Sequence, residues 1–215
     1  MTGPARGRFI TFEGGEGAGK STQIARLADF LKQLGIPVIR TREPGGTPGA
    51  ESIRDLLLAT TAEEDSWDPV AEVLLHYSAR RQHVSQLIEP ALAQGTWVLC
   101  DRFFDSTTAY QGYGMGVDLE TIDGLRRLTL GSFAPDMTVL LDIPVDQGLA
   151  RTGKRADADT RYEMMDLTFH ERLRNGFLDI AKRESGRFHI VDAIQSQDEV
   201  EKDIATAVAA RFDLS

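Results

Sequence analysis

The 215-residue chain is long enough for one α/β domain to bury a core without disulfide or metal staples, and 41% hydrophobic with 27% charged residues is ordinary globular make-up. A formal charge of −9 argues against a broad basic face, so a nucleic-acid polymer is excluded as the expected partner. There is no apolar run of about 18 residues and no charged-then-apolar leading segment, so neither a membrane span nor secretion is expected and the cytoplasm is the default location.

Met1 to Gly7 reads as a loose leader. The apolar run Phe9–Phe12 then reads as a strand that feeds Gly14–Ser21, G-G-E-G-A-G-K-S, which satisfies G-x-x-x-x-G-K-[ST]. In such a loop the backbone N–H groups of Gly14, Gly15, Glu16, Gly17, Ala18 and Gly19 cradle polyphosphate, and Lys20 reaches its outer phosphates. Thr22–Leu34 carries apolar residues at Ile24, Leu27, Ala28, Leu31 and Leu34, which is helical spacing, so the loop also opens a helix whose positive end faces an anion. Ser21 adds a hydroxyl for Mg²⁺. A glycine-rich turn with an accidental lysine is the bland alternative, and strand, helix and hydroxyl together weigh against it. The expected ligand is a nucleoside triphosphate.

Further apolar runs at Val38–Arg40, Trp97–Cys100, Thr138–Ile143 and Phe188–Val191 alternate with helical patterns, which implies βαβ units and a mostly parallel sheet within a single domain over 1–215. Val139-Leu140-Leu141 does not alternate, as expected of a strand covered on both faces. The longest helical stretch is Val70–Leu92, with Val73, Leu74, Tyr77, Val84 and Leu87-Ile88 as core or interface positions and Pro90 as a kink or end. Cys100 reads as a small buried hydrophobe. Val200, Ile204, Val208 and Phe212 mark a closing amphipathic helix.

Asp101-Arg102 directly follows the strand Trp97–Cys100 and so stands at the carboxyl edge of the sheet, where ligands bind in open α/β folds. Asp101 is placed to hold Mg²⁺ through water and Arg102 to grip a phosphate with two N–H groups. A structural ion pair is the competing reading, and the nucleotide loop in the same sheet favours function. Arg151, Lys154, Arg155 and Arg161 form a third cluster, with Gly153 and two aspartates between them. A solvated mixed-charge loop is the usual meaning of such a run. Phosphoryl transfer, however, needs positive charge around three equatorial oxygens, and Gly15–Ala18 holds no basic residue. The run at about 151–162 is therefore expected to be a mobile lid that delivers this charge.

The whole chain resembles bacterial thymidylate kinase. The match is carried by F-E-G-G-E-G-A-G-K-S-T at Phe12–Thr22, T-R-E-P-G-G-T-P at Thr41–Pro48 and A-R-R-Q-H-V at Ala79–Val84. It continues in D-R-F-F-D-S-T-T-A-Y-Q-G at Asp101–Gly112 and L-L-D-I-P at Leu140–Pro144. The resemblance implies a P-loop kinase fold with a five-stranded sheet flanked by helices, working as a homodimer on ATP and dTMP with Mg²⁺ to give ADP and dTDP. It implies ATP contacts from the loop through Ser21 and Thr22 and from Arg151, with the 192–196 loop at adenine. Glu13 would meet the acceptor's 3′-hydroxyl and the phosphate–Mg²⁺ region, and Arg102 and Arg54 the acceptor phosphate. Arg80, Thr107 and Gln111 would meet the base, Tyr110 would crowd the 2′ position, and Glu43-Pro44 would shape the acceptor pocket through a cis bond. Lys20, Glu13, Arg102, Arg155 and Arg161 would be the catalytic groups, in the subtype that carries its arginines in the lid.

His76 departs from the family, which commonly has a phenylalanine there, stacked on thymine. Imidazole stacks with less apolar area and is ionisable. Three readings stay open: His76 stacks, Tyr77 takes the role after a small shift, or acceptor preference changes. His76 and His83 have no further partner at metal-ligand spacing. Another small-substrate P-loop kinase is the nearest alternative. A P-loop regulatory switch is less favoured because no N-K-x-D motif is present, and a dinucleotide-binding oxidoreductase fails because Lys20 replaces the third glycine of G-x-G-x-x-G.

Overall fold

The computed structural model describes residues 5–59, 67–152, 162 and 165–214. Five strands, β1 (Phe9–Glu13), β2 (Val38–Arg42), β3 (Trp97–Asp101), β4 (Met137–Asp142) and β5 (Phe188–Asp192), form one sheet in the order β2-β3-β1-β4-β5. Every pairing is parallel, which sharpens the expected mostly parallel sheet, and each strand lies within a residue or two of its apolar run. All five residues of the central β1 are buried.

Successive strand residues face opposite layers, and each layer has its own core. Ile10, Phe12, Leu99, Val139 and Leu141 pack with Ile24, Leu27 and Leu31 of α1 (Lys20–Gln33) and Val200, Ile204 and Val208 of the closing helix Gln197–Phe212. Phe9, Val98 and Cys100 face the other way, onto Val73, Tyr77, Val84 and Ile88 of the long helical stretch. Phe212 meets the Trp97 ring edge-on at 5.0 Å, completing the expected apolar face of the last helix. Leu34 lies past the end of α1 and is 40% exposed, so the predicted stripe ends one position early.

The helical stretch starts at Pro69, capped by Asp68, whose carboxylate accepts from Val70 N and Ala71 N. It runs as α2 (Pro48–Ala59) does not, through α3 (Pro69–His83), a π-helical turn at Val84–Ile88 and α4 (Glu89–Ala93). Pro90 does not end it, since helical residues run on to Ala93. The wider turn directly ahead, closed by Glu89 N–H to Val84 O, takes up the clash that a proline ring imposes on the preceding turn. Leu74 is 48% exposed, whereas Val73, Tyr77, Val84 and Ile88 are core.

The described part of the leader is tied down rather than loose. Gly7 is buried and donates to Leu92 O at 2.8 Å, and Arg6 pairs with Asp136 at 3.0 Å. A Cβ at Gly7 would sit 2.1 Å from Thr96 O, so only glycine fits that approach. No described helix is long and apolar enough to cross a membrane. Of the expected lid, Lys154, Arg155 and Arg161 lie outside the described residues.

Strand order positions the site. The connection from β1 leaves toward β2, past β3, and that from β3 leaves toward β4, past β1. Two adjacent strands whose crossovers depart in opposite directions leave a crevice beyond their carboxyl ends. The β1–β3 register pairs Phe12 with Asp101, and Arg102 N–H extends the ladder to Phe12 O at 2.9 Å.

Candidate active site

The nucleotide loop leaves β1 and turns straight into α1. Gly19 caps α1 with φ 92° and no side-chain bond, leaving the first N–H groups of the helix directed at the crevice. Gly17 has φ 68°, and a Cβ there would lie 2.0 Å from Gly148 O, so the loop must be glycine where it passes the helix Val145–Thr152. Lys20 folds back over the loop, its Nζ 3.0 Å from Gly14 O and 3.1 Å from Gly15 O. Burial, and then repulsion from Arg102, lowers its pKa.

Across the crevice, Ser21 Oγ donates to Asp101 Oδ2 at 3.0 Å. A hydroxyl and a carboxylate meeting at the carboxyl edge make a hard-oxygen pair of the kind Mg²⁺ takes together with phosphate oxygens. No group of three or more His, Cys, Asp or Glu forms a metal cage among the described residues.

Arg102 adopts φ 67°, a left-handed conformation rare for an L residue other than glycine, and this turns its side chain back over the loop. Nη1 reaches Gly14 O at 3.1 Å and Ser106 Oγ at 3.3 Å, Nη2 pairs with Glu16 Oε1 at 2.8 Å, and the guanidinium lies 4.9 Å from the Tyr110 ring centre. Tyr110 also donates its hydroxyl to Glu16. Burial alone would raise the Glu16 pKa, but Arg102, Lys20 and the Tyr110 bond outweigh it and hold the carboxyl down at about 2.

A cavity of about 230 Å³ opens beside this cluster. Its wall brings together Glu16–Ser21, Pro44, Arg54, His76, Arg80, Asp101, Arg102, Thr107, Tyr110 and Gln111, drawn from five separated segments. The Glu43–Pro44 bond is cis. Arg54 Nη1 donates to Pro44 O at 3.1 Å. Arg80 is 2% exposed; its Nε pairs with Glu43 at 2.6 Å and its Nη2 donates to Phe103 O and Thr107 Oγ1. Its Nη1 is buried and has no hydrogen-bond partner among the described residues. His76 is half-buried on the wall, whereas Tyr77 is 1% exposed and packs in the core with Arg80 over its ring at 4.8 Å. Of the three readings for this position, the shift to Tyr77 is therefore the one the packing opposes.

Other expected residues are placed differently. Glu13 is not on the wall. It is wholly buried beneath, accepting from Phe103 N at 2.7 Å and Ser106 Oγ at 2.6 Å, so it does not present its carboxyl to an acceptor sugar in this conformation. Burial, then the neighbouring Asp105 charge, pushes its pKa up to about 8. Gly14 and Gly15 border a smaller cavity behind the loop, and Thr22 lies within α1. Arg151, in the last turn of the helix Val145–Thr152, donates to Ala193 O at 3.0 Å, which joins the two segments expected at adenine.

Several wall or supporting side chains make contacts that the sequence did not signal. Glu43, inside R-E-P-G-G-T-P, pairs with both Arg80 and the buried His83, at 2.6 and 3.0 Å. Ser106, inside D-R-F-F-D-S-T-T, bonds Arg102 and Glu13. The motif matches gave Glu43 only a backbone part in the pocket turn and gave Ser106 none. Glu72, Gln111 and Tyr162 meet through bonds of 2.7 to 3.1 Å, and nothing local in the sequence signals that meeting. Tyr110 and Gln111 stand on a second π-helical turn, Thr108–Gly114, which re-aims side chains relative to a regular helix.

The sequence profile of the family described as thymidylate kinase matches residues 12–204. Thymidylate kinase from Caulobacter vibrioides is 52% identical over 209 residues, covering 97% of this chain and 99% of that one. That of Teredinibacter turnerae is 52% identical over 204 residues, covering 95% and 98%. Among solved structures, thymidylate kinase from Ehrlichia chaffeensis is 36% identical, with a TM-score of 0.76 over 94% of this chain and 99% of that one.

Proposed function

We propose that this chain, which belongs to the thymidylate kinase family, transfers the γ-phosphoryl group of ATP to dTMP, giving dTDP and ADP. The observation that carries the proposal is the convergence of Lys20 and Arg102 on one loop, with the helix N-terminus on one side and the cavity on the other. Triphosphate occupies the loop and the start of α1, and the monophosphate end of the acceptor occupies the cavity under Arg102 and Arg54. The base lies toward His76, Arg80, Thr107 and Gln111, where the unsatisfied Arg80 Nη1 awaits an oxygen. Glu16, ionised at neutral pH and turned to the cavity, takes the sugar contact expected of Glu13. Tyr110 stands beside it at the ribose 2′ side, and Arg151 with the loop after β5 holds adenine.

A monophosphate with a second pKa of about 6 is already largely dianionic at neutral pH, so no general base is needed. What remains is to hold two polyanions in line and offset their repulsion, which Lys20, Arg102 and the lid residues Arg155 and Arg161 supply. Ser21 and Asp101 would hold Mg²⁺, directly and through water, and the ion would neutralise charge on the phosphate oxygens. The working unit is a homodimer in the cytoplasm.

An ADP-release assay with dTMP, dUMP, dCMP and AMP tests the reading. dTMP is expected to give the highest kcat/KM. A folded protein that ignores dTMP, or prefers AMP, would sink it.

A further inference from the structure

We propose that Glu13 is a positioning residue: its buried carboxyl group clamps the turn from Arg102 to Ser106 so that the Arg102 guanidinium is aimed at the acceptor's phosphate. The proposal rests on the reading of the cavity as the acceptor site. Glu13 ends the central strand, is 0% exposed and stays off the cavity wall, yet a buried carboxylate is costly unless its oxygens are satisfied. Its bonds go to neither the nucleotide loop nor the neighbouring strand. Oε1 accepts the Phe103 N–H at 2.7 Å and Oε2 accepts the Ser106 hydroxyl at 2.6 Å.

Those two bonds address the two things Arg102 needs. Its left-handed backbone persists only where the surroundings over-determine it, and the Phe103 N–H belongs to the peptide directly after it. Fixing that N–H fixes the orientation of the peptide on the carboxyl side of Arg102. Ser106 stands between carboxyl group and guanidinium. Its oxygen lies 2.6 Å from Glu13 Oε2 and 3.3 Å from Arg102 Nη1, so a hydroxyl bonded to the Glu13 carboxyl group still keeps a lone pair for Arg102.

The same turn is pinned from the far side. Asp105 takes two bonds from Arg187, at 2.8 and 2.7 Å, and Arg187 also donates to Thr138 Oγ1 of β4 at 2.7 Å. The segment carrying Arg102, Ser106 and Thr107 is thus held between two buried carboxyl groups, one from β1 and one of its own. A rigid turn keeps a bidentate arginine within the few tenths of an ångström that phosphate recognition needs.

The test compares wild type, Glu13→Ala, Glu13→Gln and Ser106→Ala. In ligand-free protein with ¹⁵N-labelled arginine, the two Nη groups of Arg102 are expected to be inequivalent in wild type and in Glu13→Gln, and averaged by rotation in Glu13→Ala. In kinetics, Glu13→Ala is expected to raise KM for dTMP about tenfold with KM for ATP changed less than about twofold, and Glu13→Gln, which keeps an acceptor for Phe103, to recover most of that loss. Ser106→Ala is expected to raise KM for dTMP and to add little to Glu13→Ala, because both break one chain of bonds. Should Glu13→Ala fail to fold, Glu13→Asp, too short to reach both partners, replaces it. Equal losses for ATP and dTMP that track the melting temperature, or Arg102 signals unmoved in Glu13→Ala, would overturn the clamp. A wild type with inequivalent Arg102 signals and no turnover of dTMP would overturn the functional reading and leave the clamp standing, since the spectroscopic arm uses no substrate.

Discussion

Lys20 and Arg102 donate to the same atom: the carbonyl oxygen of Gly14 lies 3.0 Å from Lys20 Nζ and 3.1 Å from Arg102 Nη1. One charge comes from the first residue of α1 and the other follows the end of β3, and the Arg102 charge lowers the pKa of Lys20. A polyanion laid across both would relieve that repulsion, which is why the pair is proposed to mark the line of phosphoryl transfer.

Lys20→Ala should therefore lower kcat/KM by about 10²–10³ while the protein stays folded, since it removes charge directed at the transferring group. Its own bonds are to two loop carbonyls at the edge of the crevice, not to the core. Steady-state ADP release and a melting curve check this, and near-normal turnover would refute it.

Arg102→Lys keeps the charge and loses the fork. Gly14, Ser106 and Glu16 are reached by two separate Nη groups, and a single ammonium cannot serve all three and a phosphate as well. Bonds to charged groups contribute about 1.5–3 kcal/mol, so kcat/KM for dTMP should fall about tenfold to a hundredfold. A loss under about twofold would mean that Arg102 acts only as a point charge.

Stability should fall with rising pH on account of Glu13. Its ordinary carboxyl value of 4.5 rises to about 8 in the fold, so the native state keeps a proton that the unfolded chain gives up. The contribution is full below pH 4.5 and is lost as pH climbs through about 8. Urea unfolding across that window should show a shallower decline in Glu13→Gln than in wild type. Parallel curves would remove Glu13 as the cause.

Arg155→Ala and Arg161→Ala should lower kcat more than they raise KM. Both are expected on the lid, and charge delivered by a closing segment acts on the transition state more than on the resting complex. Equal binding losses at normal kcat would assign them to ground-state binding instead.

Much of this could be read along the chain. The strand–loop–helix at Phe9–Leu34 is local: an apolar run, glycines at the turns and a helical stripe each act on their own neighbours. Asp101-Arg102 at a strand's end was legible for the same reason, because a strand ending in charge after four apolar residues can only point them past the sheet edge. The helical stripe already offered Tyr77 as a core position and the motif match placed His76 at the base, but a shift that would hand the wall to Tyr77 could not be settled along the chain. Adjacent helix positions differ by about 100° in direction, and which one faces the cavity depends on how α3 is rolled against the sheet.

What the sequence determined by itself is a nucleotide loop, a parallel α/β frame and the inventory of charges at the strand ends. Only the tertiary structure decided which charges meet. It set Asp101 against Ser21, 80 positions away, Arg102 against Glu16, and Glu13 beside Ser106 rather than on the cavity wall. The reason is physical: hydrophobic periodicity specifies which face of an element is buried, whereas the partner of a polar side chain depends on strand order, register and backbone turns such as that at Arg102.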